Sequence, residues 1–363
     1  MTVVRVALDA MGGDNAPAAI VAGGMAALRD DAEMELILVG RESDVLGALG
    51  GSVPDRVSIV NATEVVEMDD HPAVAVRTKK DSSMNVAARL VADGKADAFV
   101  SAGNSGGTLA AAVFVIKRLP GLDRPAIGTP IPTKVGTTLL MDSGANTEVK
   151  PEYLAQWALL GNAYAKDIMG IANPRIALLS NGEEENKGNE LTVAAHQLLK
   201  RAPVNFIGNV EGKVMFDGVA DVVLTDGFTG NIVLKTVEGV AGFVLAGIRD
   251  AAMASLPGKL GGLLLRPNLQ PLRDKADWRK HGGSPLLGVR GVCIIAHGRS
   301  DEEATKNAVF RGAEAARSGV VAAMTKALTE RSADGVVRLG ASTDAIIGEL
   351  RGAGDTVEVT ERG

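Results

Sequence analysis

Five times in this chain a short β-branched, apolar run ends in a small, polar, glycine-bearing segment that leads straight into an Ala- and Leu-rich helical stretch. The junctions read LDAMGGDNAP (8–17), SAGNSGGT (101–108), MDSGANTEVKP (141–151), SNGEEENKGNE (180–190) and TDGFTGN (225–231). Strand, loop, helix in repetition is the pattern of a parallel sheet covered by helices on both faces, a doubly wound α/β/α sandwich. Strands are expected at 3–8, 35–39, 57–60, 98–101, 137–141, 175–180, 204–208, 222–225 and 291–296, and helices at 17–29, 83–93, 108–118, 151–166, 189–201, 230–251 and 301–328. The carboxyl ends of parallel strands face a common crevice, where ligands bind. Helices that start there offer free N–H groups and a partial positive charge to an anion. Glycine lets the backbone approach a ligand closely, and Asn, Ser and Thr add neutral donors. Taken singly, each loop is equally an ordinary turn with a helix cap. Neither the nucleotide loop G-x-x-x-x-G-K-[ST] nor a clean dinucleotide G-x-G-x-x-G occurs among them, so the expected anion is inorganic phosphate or a small phosphorylated ligand.

Composition narrows the class. Glycine is 44 of 363 residues without any collagen period, and 46% of the chain is hydrophobic with only 3% aromatic, so Ala, Val, Leu and Ile must build the core. The net charge of −6 and scarce aromatics argue against a nucleic-acid partner. Cys293 is the single cysteine and the four histidines form no HExxH pair, so no disulfide, zinc or iron–sulfur site is expected. Arg5, Asp9 and Asp14 in the first apolar stretch fit neither a signal peptide nor an anchor, and no uninterrupted apolar run approaches 18 residues. A cytoplasmic protein is expected.

Together with PLLGVRGVCIIAHG (285–298), the loops at 8–17, 101–108, 180–190 and 225–231 resemble the bacterial phosphate acyltransferase family of phospholipid synthesis, in family order over about 4–328. The resemblance implies a fold like phosphate acetyltransferases and isocitrate dehydrogenase-like enzymes, and a homodimer. It implies transfer of a long fatty acyl group from acyl carrier protein to inorganic phosphate, with the acyl phosphate used by a membrane glycerol-3-phosphate acyltransferase. No cofactor is implied. Phosphate is already an anionic nucleophile and a thiolate an acceptable leaving group, so the site needs position and charge stabilisation rather than a serine triad. The resemblance places the active-site lysine at Lys187, otherwise readable as a solvated partner of Glu183 to Glu185, and makes Asn231, otherwise a helix cap, the orienting donor. Asp9, Gly12, Gly13 and Asn15, then Ser101, Asn104, Ser105 and Gly106, and further Asp142, Asn181 and Gly230 are expected to line the crevice. Asp9 and Asp142 also fit structural caps. His297, ending an apolar strand, is either a proton source for the leaving thiolate or a strand-end hydrogen-bonding residue. Cys293 reads as a buried apolar side chain.

One stretch breaks the acidic balance, since residues 249–280 hold seven basic side chains against three acidic ones. At its centre lies LPGKLGGLLLRP, whose Pro-Gly and Gly-Gly pairs suit the tip of a protruding helical hairpin over 249–281 better than one helix. Leu256, Leu260, Leu263, Leu264 and Leu265 with Arg266, Arg273 and Lys275 fit an anionic membrane surface, the acidic acyl carrier protein, or a second subunit. The resemblance favours peripheral attachment to the inner face of the cell membrane. Residues 1–330 are expected to form one catalytic domain, and 331–363 a weakly ordered tail without a motif.

Overall fold

The computed structural model describes residues 3–333. Its strands are β1 (Val4–Asp9), β2 (Met34–Gly40), β3 (Val57–Asn61), β4 (Ala98–Ser101), β5 (Ala126–Pro132), β6 (Thr137–Met141), β7 (Arg175–Ser180), β8 (Asn205–Glu211), β9 (Val222–Leu224), β10 (Ser284–Leu287) and β11 (Val292–Ile295). The helices are α1 (Ala18–Asp30), α2 (Glu42–Ala48), α3 (Pro72–Thr78), α4 (Ser83–Ala92), α5 (Ser105–Ala111), α6 (Pro151–Asp167), α7 (Glu190–Leu199), α8 (Gly227–Met253), α9 (Leu256–Ala276), α10 (Glu302–Ser318) and α11 (Val320–Ala333).

All eleven strands join one sheet in the order β3-β2-β1-β4-β11-β10-β5-β6-β9-β7-β8. Alternation along the strands sends side chains to two cores. Val6, Leu8, Val100, Ile294, Leu139 and Leu178 pack with α1, α6, α7, α10 and α11 on one face. Ala7, Phe99, Cys293 and Ile295 pack under α4 and α5 on the other, where Leu140, Ala177 and Val223 continue the layer toward Val233 of α8. The α/β/α sandwich is as expected.

The sheet is not all parallel, which corrects the expectation of one shared crevice edge. Strands β3, β2, β1, β4 and β11 run together, β10 is antiparallel to both β11 and β5, and β5 is antiparallel to β6. Strands β6, β9, β7 and β8 are again mutually parallel. The two parallel blocks therefore point opposite ways, with β10 and β5 between them. Both strands were missed in the sequence, because β5 (AIGTPIP) carries two prolines and a glycine and β10 has four residues. The single helix expected over 301–328 is divided at Gly319, which takes φ +72° between α10 and α11.

The excursion is a helical hairpin, but its turn lies at Ala254 and Ser255, earlier than expected. Ser255 caps α9, its hydroxyl accepting from the Gly258 N–H at 3.0 Å, and the helix continues through Gly261, Gly262 and Pro267. Leu256, Leu260, Leu263, Leu264 and Leu265 are all exposed. The preceding helix α8 is also apolar on its outer face, with Phe228, Val240 and Phe243 exposed, and by length and composition it could cross a membrane. No uninterrupted apolar run announces it, because Lys235 and Glu238 are spaced within the helix. The side chain of Lys275 lies outside the described residues, as does the tail from 334, whereas 331–333 belong to α11.

Candidate active site

A cavity of about 540 Å³ opens between the two parallel blocks. Its floor is β5 and β10, one wall is the end of β11 with the start of α5, and the other is the end of β6 with the first turns of α8. Polar groups gather where these walls meet: Ser105, Ser143, Gly144, Asn231, Ser284 and His297.

Asp142 builds the α8 wall from below. Its carboxylate accepts from the N–H groups of Ile127 (3.0 Å), Ala145 (3.1 Å) and Asn146 (2.7 Å), and from Asn146 Nδ2 (2.9 Å). Burial pushes its carboxyl up, against the pull of those donors. This side chain organises the 143–146 turn and does not face the cavity, so the cap reading holds over the crevice-lining one. Gly227 and Gly230 then seat α8 on that turn: a Cβ at Gly230 would lie 1.9 Å from the Asp142 carbonyl oxygen, and one at Gly227 2.5 Å from that of Asn146. Gly230 is a packing residue rather than a ligand contact. The Asp226 side chain caps α8 through the Thr229 N–H at 2.8 Å, which leaves Asn231 uncommitted beside Gly144.

The facing wall is assembled in the same manner. Asp9, fully buried, accepts the Ser101 hydroxyl at 2.7 Å, and burial pushes its carboxyl up. Ser101 Oγ in turn accepts from the Gly103 N–H at 3.1 Å. Gly12 must be bare because a Cβ there would sit 2.7 Å from both Asp9 Oδ2 and the Gly103 nitrogen. Gly13, at φ +103°, passes close to the carbonyls of Ala102 and Gly298. Asn15 Nδ2 donates to the Ser300 carbonyl at 3.1 Å, fastening the first loop to the end of β11. Asn104 caps α5 through the Gly107 N–H (3.0 Å) and donates to the Met68 carbonyl (3.0 Å), so its polar atoms are spent inside the fold. Gly106 packs on Pro72. Of the residues expected from the first two loops, Ser105 alone lines the cavity; the others hold the wall in place.

Lys187 and Asn181 do not line the cavity. They sit on the exposed loop after β7, beside the loops that end β9 and β6, since Leu178 pairs with Leu224 and Leu224 with Met141. Glu185 pairs with Lys200 at 2.9 Å, and Lys187 makes no salt bridge among the described residues. The loop has an internal anchor. Buried His196 in α7 meets Asn209 Oδ1 through Nδ1 at 2.8 Å, and Asn209 Nδ2 donates to the Glu184 carbonyl at 2.8 Å.

Several functional groups escaped the sequence reading. Thr129 Oγ1 lies 2.6 Å from Ser143 Oγ and 2.8 Å from Ser284 Oγ, a chain of hydroxyls across the cavity floor. Ser143 Oγ also donates to the Ile127 carbonyl at 3.2 Å, which leaves Thr129 to donate to Ser143 and Ser284 to Thr129. Lys235, one turn beyond Asn231, reaches Glu238 at 2.9 Å at the cavity edge. Arg279 also lines the cavity but is engaged by Asp277, Asp301 and Glu303. Trp278 lies against His297, the ring centroids 4.9 Å apart and the planes tilted by 42°. The His297 Nδ1 accepts the Arg299 N–H at 3.2 Å, so the neutral ring carries its proton on Nε2. Burial, with Lys235 and Arg299 nearby, holds His297 below the ordinary histidine range. With that proton on Nε2, the neutral ring can donate a hydrogen bond into the cavity. Cys293 is buried, and burial pushes its thiol well above the usual range, which removes it as a nucleophile.

Residues 4–323 match the family model described as "Fatty acid synthesis protein". Over 327 residues the chain is 50% identical to a phosphate acyltransferase of Desulfitobacterium hafniense (strain Y51), covering 90% of this chain and 97% of that one. A phosphate acyltransferase of Myxococcus xanthus (strain DK1622) is 48% identical over 335 residues, covering 91% and 95%. Among solved structures, a phosphotransacetylase from Streptococcus pyogenes superposes with a TM-score of 0.58 at 18% identity, covering 86% of this chain and 94% of that one. A branched-chain phosphotransacylase from Enterococcus faecalis V583 gives a TM-score of 0.51 at 15% identity, covering 85% and 98%. These two likenesses concern the fold.

Proposed function

Because the chain belongs to the fatty acid synthesis protein family, whose members at about half identity are phosphate acyltransferases, we propose that it moves a long-chain fatty acyl group from acyl carrier protein to inorganic phosphate. The product is an acyl phosphate for phospholipid synthesis. What carries this reading is the cavity itself, where uncommitted polar groups at the start of α8 adjoin an apolar trough.

Hydrogenphosphate is held at the polar end of the cavity, beside Ser143, Gly144 and Asn231. One of its oxygens attacks the thioester carbonyl; the C–O bond forms, the C–S bond breaks, and the phosphate proton passes to the departing thiolate. Asn231 Nδ2 and the His297 Nε2–H are the donors for the developing oxyanion, with Lys187 brought over from the neighbouring loop as the cation. Asn181 accompanies it at the loop's start. No cofactor enters this balance.

The hairpin serves the partners. A second copy covers the apolar outer face of α8, giving a homodimer. The exposed leucines from Leu256 to Leu265 rest on an anionic membrane at its cytoplasmic face, and Arg266, Arg273 and Lys275 receive the acidic carrier protein. The membrane glycerol-3-phosphate acyltransferase then consumes the acyl phosphate. The test is phosphate-dependent thiol release from long-chain acyl carrier thioester, with acetyl-coenzyme A as the control. Release only with the carrier substrate, lost by orders of magnitude in Lys187→Ala and Asn231→Ala, is expected. Preference for acetyl-coenzyme A, or near-normal rates in either variant, overturns the proposal.

A further inference from the structure

The cavity is long and two-toned. On α8 the apolar residues lining it after Asn231 are Leu234, Val237 and Ala241, a single helical face, with the paired Lys235 and Glu238 beside them. Ten residues from Asn231 to Ala241 rise about 15 Å. Opposite, β5 leaves the polar end at Ile127 and reaches Ile131 four residues on, presenting the same face at 127, 129 and 131. Because β5 is antiparallel to β6, with Gly128 beside Met141 and Pro132 beside Thr137, its far end lies away from the Asp142 turn that seats α8. Phe216 joins this far end, its carbonyl accepting the Lys134 N–H at 2.9 Å. The polar end thus holds Ser143, Asn231 and His297, and the remainder is a trough between α8 and β5 whose apolar stripe is flanked by Lys134 and the Lys235–Glu238 pair.

We infer that this trough receives the acyl chain, carbonyl at Asn231 and methyl end toward Ala241 and Phe216, and that Ala241 sets how much of the chain is covered. The inference rests on the acyl transfer proposed above. Carbon–carbon bonds of about 1.5 Å zigzag to about 1.25 Å per methylene, so the trough covers about twelve carbons. Each methylene buried there raises the preference about fourfold. The chain is flexible and uncharged, which suits a groove that is apolar along one stripe and whose ends differ in polarity.

The experiment is a chain-length series. With acyl carrier thioesters from four to sixteen carbons, kcat/KM for phosphate-dependent release is expected to climb about fourfold per methylene and level off near twelve. Ala241→Phe, which fills about one helical turn of trough, is expected to end the climb about four carbons earlier and lower the long-to-short ratio at least tenfold. Phe216→Ala acts in the opposite sense and extends the climb, which keeps the test decisive should Ala241→Phe fold poorly. A flat wild-type profile, or identical profiles in the variants, overturns the inference. Binding of a free fatty acid, followed by Trp278 fluorescence, reads the trough without any turnover. Fatty acid binding that Ala241→Phe weakens, alongside no release at any chain length, leaves the trough standing and fails the transfer reaction instead.

Discussion

Gly230→Ala isolates the placement of Asn231 from its chemistry. A methyl group at 230 would meet the Asp142 carbonyl oxygen at 1.9 Å, where real Cβ contacts do not fall below 3.0 Å, so the first turn of α8 must retreat by about 1 Å. That oxygen is backbone, locked by the fully buried Asp142 and its turn, and has nowhere to go. Overpacking of this kind costs about 1–3 kcal/mol of stability. Displacing a positioning group by about 1 Å costs catalysis about a hundredfold. The expected result is a kcat about 100-fold down in a protein that still unfolds cooperatively, with a melting temperature lowered by several degrees. Gly47→Ala is the control, because nothing lies within 4 Å of a Cβ there and it sits within α2. Alanine at such an open helical site gains about 0.5–1 kcal/mol over glycine, so that variant is expected to melt slightly higher with full turnover. Wild-type kcat in Gly230→Ala would refute the argument that this close approach positions Asn231.

Three further outcomes follow from the geometry. His297 sits below the ordinary value of 6.5, so it stays neutral, and keeps its acceptor at Nδ1, until the pH falls beneath that value; its stabilising contribution is complete above 6.5 and declines as pH falls toward the folded pKa. The kcat profile should show an acid limb with its midpoint below 6.5 that His297→Gln abolishes, and a limb that survives in this variant belongs to another group. Asn209→Ala unfastens the Glu184 carbonyl from His196, freeing the loop that holds Lys187; the expectation is faster amide exchange over residues 181–189 and a kcat about tenfold lower with little change in KM for carrier, and unchanged exchange excludes the anchoring role. Replacing Leu263, Leu264 and Leu265, exposed by 64%, 71% and 53%, with glutamates should release the protein from anionic vesicles and spare turnover in solution; unchanged co-sedimentation assigns those leucines to a subunit contact.

What the chain discloses about itself divides along a physical line. Parallel strands with apolar periodicity are legible because each carries its own local signature, and β1, β4, β6, β7 and β9 stand where expected. Strands β5 and β10 are strands only because their neighbours make them so: prolines 130 and 132 and a four-residue SPLL have no local preference for pairing. Their insertion reverses the second half of the sheet, and no local signal carries that information. The same division runs through the site. Glycine loops suggest a crevice at the strand ends but not which atoms face it, and burial decides that afterwards. Asp9, Ser101, Asn104 and Asp142 are attractive as ligands because they are polar and lie at strand ends, yet each is buried, Asp9 and Ser101 bonded to one another and Asn104 and Asp142 to the backbone they organise.

Their burial explains why the site works with so few free groups. An anion site built from mobile donors loses part of its attraction to the cost of ordering them, whereas one whose turns are already fixed by buried carboxylates presents its donors in place. Asp142 accepts N–H groups from three successive residues, Gly144 (3.2 Å), Ala145 (3.1 Å) and Asn146 (2.7 Å), and the turn it fixes is the surface against which Gly230 holds α8. A negative charge beneath the proposed phosphate position is repulsive in isolation. Here the Asp142 carboxylate is met by the N–H donors of the turn, while burial pushes its carboxyl up. Asn231 is then left uncommitted, facing the cavity. The glycines that first marked the loops are the condition for this stacking, since at 227 and 230 any side chain would separate the helix from the turn that aims it.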